Sequence, residues 1–71
     1  MTVRVNWNQG PAGILQVHRV MLQQPPQCQF DRMRNYDEYK SLSAAEEAMR
    51  NRNYRNYRKC RICWDGTTVN L

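Results

Sequence analysis

The chain contains no apolar run approaching the ~20 residues that a helix needs to cross a bilayer, and its first ten residues, MTVRVNWNQG, hold no apolar signal-peptide core. A membrane partner is therefore not expected, and a cytoplasmic location is. Acidic residues are scarce, with six Asp and Glu against eleven Lys and Arg, a formal charge of +5 and a pI near 9.6. That balance disfavours cationic partners and favours polyanions: nucleic acid, a nucleoprotein or an acidic protein surface. Histidine is almost absent. His18 stands alone, with no Ser or Asp arrangement that spacing connects to it, and is expected on a strand surface or partly buried. Glycine is equally sparse, and Gly10 and Gly13 precede no helix, which excludes a phosphate-cradling loop. Asp37 and Glu38 are adjacent and would face opposite sides of a strand, while Glu46 and Glu47 belong to a helix start. No constellation for catalysis is left, so the chain is not expected to be an enzyme. Three cysteines make an odd count, which argues against a secreted disulfide framework and for reduced thiols.

What is present fits one small folded domain covering residues 1–71. Hydrophobic residues make up 41%, including four Tyr and two Trp, enough aromatic content to separate the chain from disordered sequences despite a mean hydropathy of −0.91. A core of this size supplies only about 3 to 5 kcal/mol of net stability. A second copy of the chain is accordingly a candidate partner.

Residues Thr2 to Asn8 alternate Val3, Val5 and Trp7 with polar residues, the period of a strand with one buried face. Gln9 to Gly13 reads as a turn, and the uneven spacing of Ile14, Val17, Val20 and Leu22 in Ile14 to Gln23 fits a bulged strand or a short helix, the strand being favoured because the preceding turn suggests a hairpin with the first strand. Pro25 and Pro26 end it. Cys28 to Lys40 is irregular, with a short strand near Tyr36 to Lys40. Ser43 with Glu46 three residues on has the form of a capping box for a helix over about 44–52. Tyr57 to Trp64 alternates like a strand, and Asp65-Gly66 suggests a tight turn into Thr67 to Asn70. The expected class is α+β: a small antiparallel sheet of about four strands with one helix on one face.

The spacing Cys60-x-x-Cys63 invites a zinc reading, with Cys28 and His18 completing the three thiolates and one imidazole that structural zinc accepts. If Cys60 and Cys63 lie in one strand, however, they point to opposite faces, and no tight turn brings them together. A thioredoxin-like role fails too, because no helix begins at Cys60. On this reading the cysteines are small core hydrophobes, and neither metal nor cofactor is expected.

The basic block remains. Arg50, Arg52, Arg55, Arg58, Lys59 and Arg61 fall between Glu47 and Asp65 with no acid among them, interleaved with Tyr54 and Tyr57. Guanidinium forks bind phosphate and tyrosine rings offer stacking, although the same residue types also mark protein interfaces or simply a solvated face. These eight residues are the expected partner-binding set.

Ser41-Leu42-Ser43 with Ala45, a short helix, a basic strand and the Asp65-Gly66 hairpin together resemble certain small phage-encoded anti-CRISPR proteins over about the last 35 residues. The resemblance implies a compact α+β inhibitor that occupies the nucleic-acid groove of a host ribonucleoprotein complex, working in the host cytoplasm. The alternative is a sequence-tolerant DNA- or RNA-binding regulator.

Overall fold

The computed structural model describes residues 1–9 and 13–71, so the Gly10, Pro11 and Ala12 portion of the expected first turn lies outside the described residues. Five strands, β1 (Val3–Asn6), β2 (Leu15–Arg19), β3 (Tyr36–Tyr39), β4 (Asn56–Lys59) and β5 (Thr68–Asn70), form one sheet in the order β3-β1-β2-β4-β5. The one α-helix among the described residues, α1 (Leu42–Asn51), packs across one face, and two short 3-10 turns, Pro26–Cys28 and Phe30–Arg32, lie between β2 and β3. The architecture is α+β, with a fifth strand and one parallel pair beyond the expected antiparallel set. β2 and β4 run parallel, because β3 and α1 intervene between them and return the chain in the same direction.

Register gathers the apolar set on one face. Val5 pairs with Val17 and Leu15 with Tyr57, so the period-two alternation of three strands points Val3, Val5, Leu15, Val17 and Tyr57 into a single layer. Ala45 and Met49, one turn apart on α1, close that layer, and Trp7 seals its edge. No helix among the described residues is long and apolar enough to cross a membrane.

The helix starts two residues before the expected position. Ser41 has extended dihedrals and its Oγ accepts a hydrogen bond from the Ala44 amide at 3.2 Å, so Ser41 is the cap and Ser43 sits inside the first turn. Glu46 does not return a bond to the helix start; its carboxylate accepts from the Tyr57 hydroxyl at 2.7 Å. The C-terminus is a Schellman motif. Asn53 adopts φ 68°, its amide donates to Arg50 O, and the Tyr54 amide donates to Met49 O.

The larger departure is at the expected strand from Tyr57 to Trp64. β4 ends at Lys59, and Arg61 to Cys63 form a tight turn. Gly66 allows the chain to double back there: its φ is +76°, and a Cβ at that position would come within 3.0 Å of the Arg61 Cβ. The eight residues between β4 and β5 therefore form a loop folded on itself where a two-residue hairpin turn was expected.

Candidate metal centre and the polar groove beside it

The face of the sheet turned away from α1 has a different covering. Arg4 and His18 are register partners on this face, and the segment containing both 3-10 turns crosses over them. The Arg4 guanidinium lies 4.0 Å from the ring centroids of both Phe30 and Tyr36, donates to the Phe30 carbonyl, and pairs with Glu38. The Phe30 ring meets His18 edge-on, with centroids 5.5 Å apart. These contacts hold the crossing segment down and set Cys28, at the end of the first 3-10 turn, beneath it.

Cys60 and Cys63 arrive from the other side. The turn that ends β4 brings both sulfurs to the same point, which a continuous strand would have prevented. His18, Cys28, Cys60 and Cys63 are 3%, 6%, 4% and 2% exposed, and their candidate ligand atoms all lie within 4.8 Å of one another. The Cys28 and Cys60 sulfurs are 3.8 Å apart, and His18 Nδ1 is 3.9 Å from the Cys63 sulfur. A tetrahedron with zinc–sulfur bonds of about 2.3 Å has an edge of about 3.8 Å. The Cys28 to Cys60 spacing therefore matches two ligands of one ion, and is far longer than the ~2.05 Å of a disulfide. All three cysteines are free thiols.

Backbone donors reach two of the three sulfurs. The Ile62 amide donates to the Cys60 sulfur at 3.4 Å and the Arg19 amide to the Cys63 sulfur at 3.3 Å, while the Arg19 guanidinium holds the Cys63 carbonyl. Such bonds from outside the ligand set are a regular feature of metal sites. Burial alone would raise the Cys60 pKa, but hydrogen bonds from the Cys63 and Ile62 amides and from the Cys63 and Cys28 thiols together outweigh it and the thiol is pulled down. Cys63 is pushed the other way, by burial and then by the negative charge of Cys60. A cation bound among the three sulfurs would be what lets them lose their protons together. His18 is held neutral, its pKa lowered to about 4 by burial and by the charge of Arg4, and neutral imidazole is the form that ligates. The expectation that these residues are merely core hydrophobes rested on a strand through Cys63. The turn removes that objection.

Beside the cluster the same face opens into a groove of about 550 Å³. It is bounded by the 3-10 segment on one side and the Cys60 to Ile62 turn on the other, with Asn6 and Gln16 of the sheet on its floor.

The eight expected partner-binding residues are not brought together. Tyr57 is fully buried in the core under α1, and Tyr54 packs tilted against Trp7 with centroids 6.0 Å apart. Arg52 stacks 3.8 Å over Trp7 and pairs with Asp37, Arg50 reaches Glu46 at 4.0 Å, and Lys59 lies over the Trp64 ring. Arg55 is exposed and outside the groove lining. Arg58 and Arg61 alone converge, on the groove, where they meet Arg32. The amides of Asn6 and Gln16 were not singled out from sequence, although the alternation that buries Val5 and Val17 also aims these two at the opposite face.

Comparison of the chain with protein-family models, with curated proteins and with solved structures finds no match.

Proposed function

We propose that this protein is a small non-enzymatic binding module whose second sheet face is held together by one Zn²⁺ ion on His18, Cys28, Cys60 and Cys63. The observation that carries the reading is the convergence of three sulfurs and one imidazole nitrogen, all buried and all within 4.8 Å of one another. Three thiolates and one imidazole complete a tetrahedron and leave no open position for water or substrate, so the ion supports structure and does not activate a nucleophile. The soft donor set favours zinc over magnesium or calcium, which take oxygen ligands. The charge of +5 supports an anionic partner. A nucleoprotein is the partner we propose, with inhibition of its nucleic-acid site as the biological outcome.

Elemental analysis of protein purified without a histidine tag is expected to give one zinc per chain. Replacement by Co²⁺ is expected to produce the visible absorption of a tetrahedral thiolate site, lost on Cys60→Ser. Metal-free protein that takes up neither ion and keeps its cooperative unfolding transition would overturn the zinc reading. For the partner, capture from a host lysate with and without nuclease distinguishes protein contact from nucleic-acid contact.

A further inference from the structure

The groove beside the metal cluster combines two kinds of chemistry. Arg32, Arg58 and Arg61 supply positive charge, and none of the three forms an ion pair with a carboxylate among the described residues. Asn6, Gln16, Gln27 and Gln29 supply carboxamides, each of which both donates and accepts. Among the described residues no Asp or Glu lines it. Ligand pockets for apolar molecules are lined mainly by hydrophobic and aromatic side chains, which this one is not. An acidic peptide would also neutralise the arginines and offer backbone amides to the carboxamides, and it therefore enters the test below as a competitor. Nucleic acid uses both sets, because its phosphates take guanidinium and its base edges present paired donors and acceptors to Asn and Gln.

Shape favours a single strand over a duplex. The groove is a recess between the 3-10 segment and the Cys60 to Ile62 turn, and the one α-helix lies on the opposite face of the sheet, so no helix projects from this side to enter a major groove. Unpaired bases can turn their edges down to Asn6 and Gln16 while the backbone follows the arginines. Arginine planes provide the stacking surface that the core-bound Tyr54 and Tyr57 do not.

We propose that this groove binds a short single-stranded segment of nucleic acid, phosphates on Arg58, Arg61 and Arg32 and base edges on the carboxamides of Asn6 and Gln16. The proposal rests on the binding-module reading above and identifies the chemistry of its partner. Cys28 and Cys60 line the groove as well as belonging to the metal cluster, so the cluster fixes the two walls relative to each other.

The test is fluorescence anisotropy of zinc-loaded protein with labelled single-stranded DNA, single-stranded RNA and duplex DNA of one mixed sequence, with an acidic peptide as competitor. Single strands are expected to bind more tightly than duplex, with the logarithm of affinity falling against the logarithm of salt at a slope of about −2 for three neutralised phosphates. DNA and RNA strands run in parallel identify which sugar is preferred. Arg58→Glu with Arg61→Glu is expected to weaken binding at least tenfold with zinc content and melting temperature unchanged. Arg50→Glu with Arg55→Glu, outside the groove and carrying the same change in charge, is expected to alter it less than threefold. Equal losses from the two pairs would overturn the proposal by reducing the effect to net charge, as would no strand binding at low salt, preference for duplex, or displacement by the acidic peptide at matched charge. Zinc analysis of the same samples keeps the two readings separable: zinc-loaded protein that binds no strand refutes the groove alone, and strand binding by protein that takes up no zinc refutes the metal centre alone.

Discussion

The two faces of this sheet are closed by different physics. Under α1, Val3, Val5, Leu15, Val17, Met49 and Tyr57 are completely buried, and the hydrophobic effect with a well-capped helix accounts for the closure. On the other face Cys28, Cys60 and Cys63 form a separate buried cluster, with the apolar side chain of Phe30 packed against it. Three thiols and a ring bury little apolar area, yet that cluster, with the Arg4 contacts to Phe30, Tyr36 and Glu38, closes a segment containing two 3-10 turns and a folded loop against the sheet. A chain this short has few residues to spare for a second core, and the proposed metal ion would concentrate into four side chains what would otherwise take a second helix.

If the faces differ in this way, breaking them should give effects of different kind as well as size. The largest is expected at the metal. Structural zinc contributes on the order of 10 to 16 kcal/mol to small zinc-dependent folds, more than the ~3 to 5 kcal/mol that a core this small supplies. Chelation of the ion, or Cys63→Ser, is therefore expected to abolish the cooperative thermal transition, observed by circular dichroism, with recovery when Zn²⁺ is returned to the chelated protein. Retention of a sharp transition in excess chelator would show that both faces close by packing alone. On the helix face, Met49→Ala is expected to cost about 2 to 5 kcal/mol through lost burial and a residual cavity, read as a lower urea midpoint in zinc-saturated buffer. The folded fraction should still carry one zinc per chain. A variant that lost its zinc while folded would show that the faces are coupled where we describe them as separate.

The helix face was largely legible in the sequence, and the metal face was not. Alternation in Thr2 to Asn8, the capped helix, and a short strand near Tyr36 all depend on neighbours in sequence, where periodicity carries the information. The cluster depends on the turn at Arg61 to Cys63, and the alternation of Cys60, Ile62 and Trp64 imitates a strand well enough to hide it. The signal that could have found it is Gly66, three residues beyond Cys63, whose positive φ lets the loop close against Arg61. Cys28 and His18 could be named from residue type as completing the set, but their convergence on that turn depends on the parallel alignment of β2 with β4, a contact that no local pattern encodes. The basic block misled for a related reason. Strand geometry sends Tyr57 and Arg58 to opposite faces, so a run contiguous in sequence is divided between core and groove.

The smallest expected effect tests the helix face at its edge. Two serines, Ser41 and Ser43, both offer a hydroxyl near the start of α1, and their oxygens are 3.2 Å apart. Ser41 alone has the extended backbone of a cap and accepts the Ala44 amide, while Ser43 lies within the first turn of the helix. Ser41→Ala is therefore expected to lower stability by about 1 kcal/mol, the usual cost of losing a cap, whereas Ser43→Ala exchanges a serine for the best helix former and should cost nothing or add a few tenths of a kcal/mol. Urea denaturation of the zinc-loaded variants measures both. A larger loss at Ser43 would return the cap to the Ser43 and Glu46 pair, and would free Glu46 from its bond to Tyr57, which joins α1 to the sheet. Neither substitution should change zinc content, because α1 and the cluster lie on opposite sides of the sheet and share no side chain.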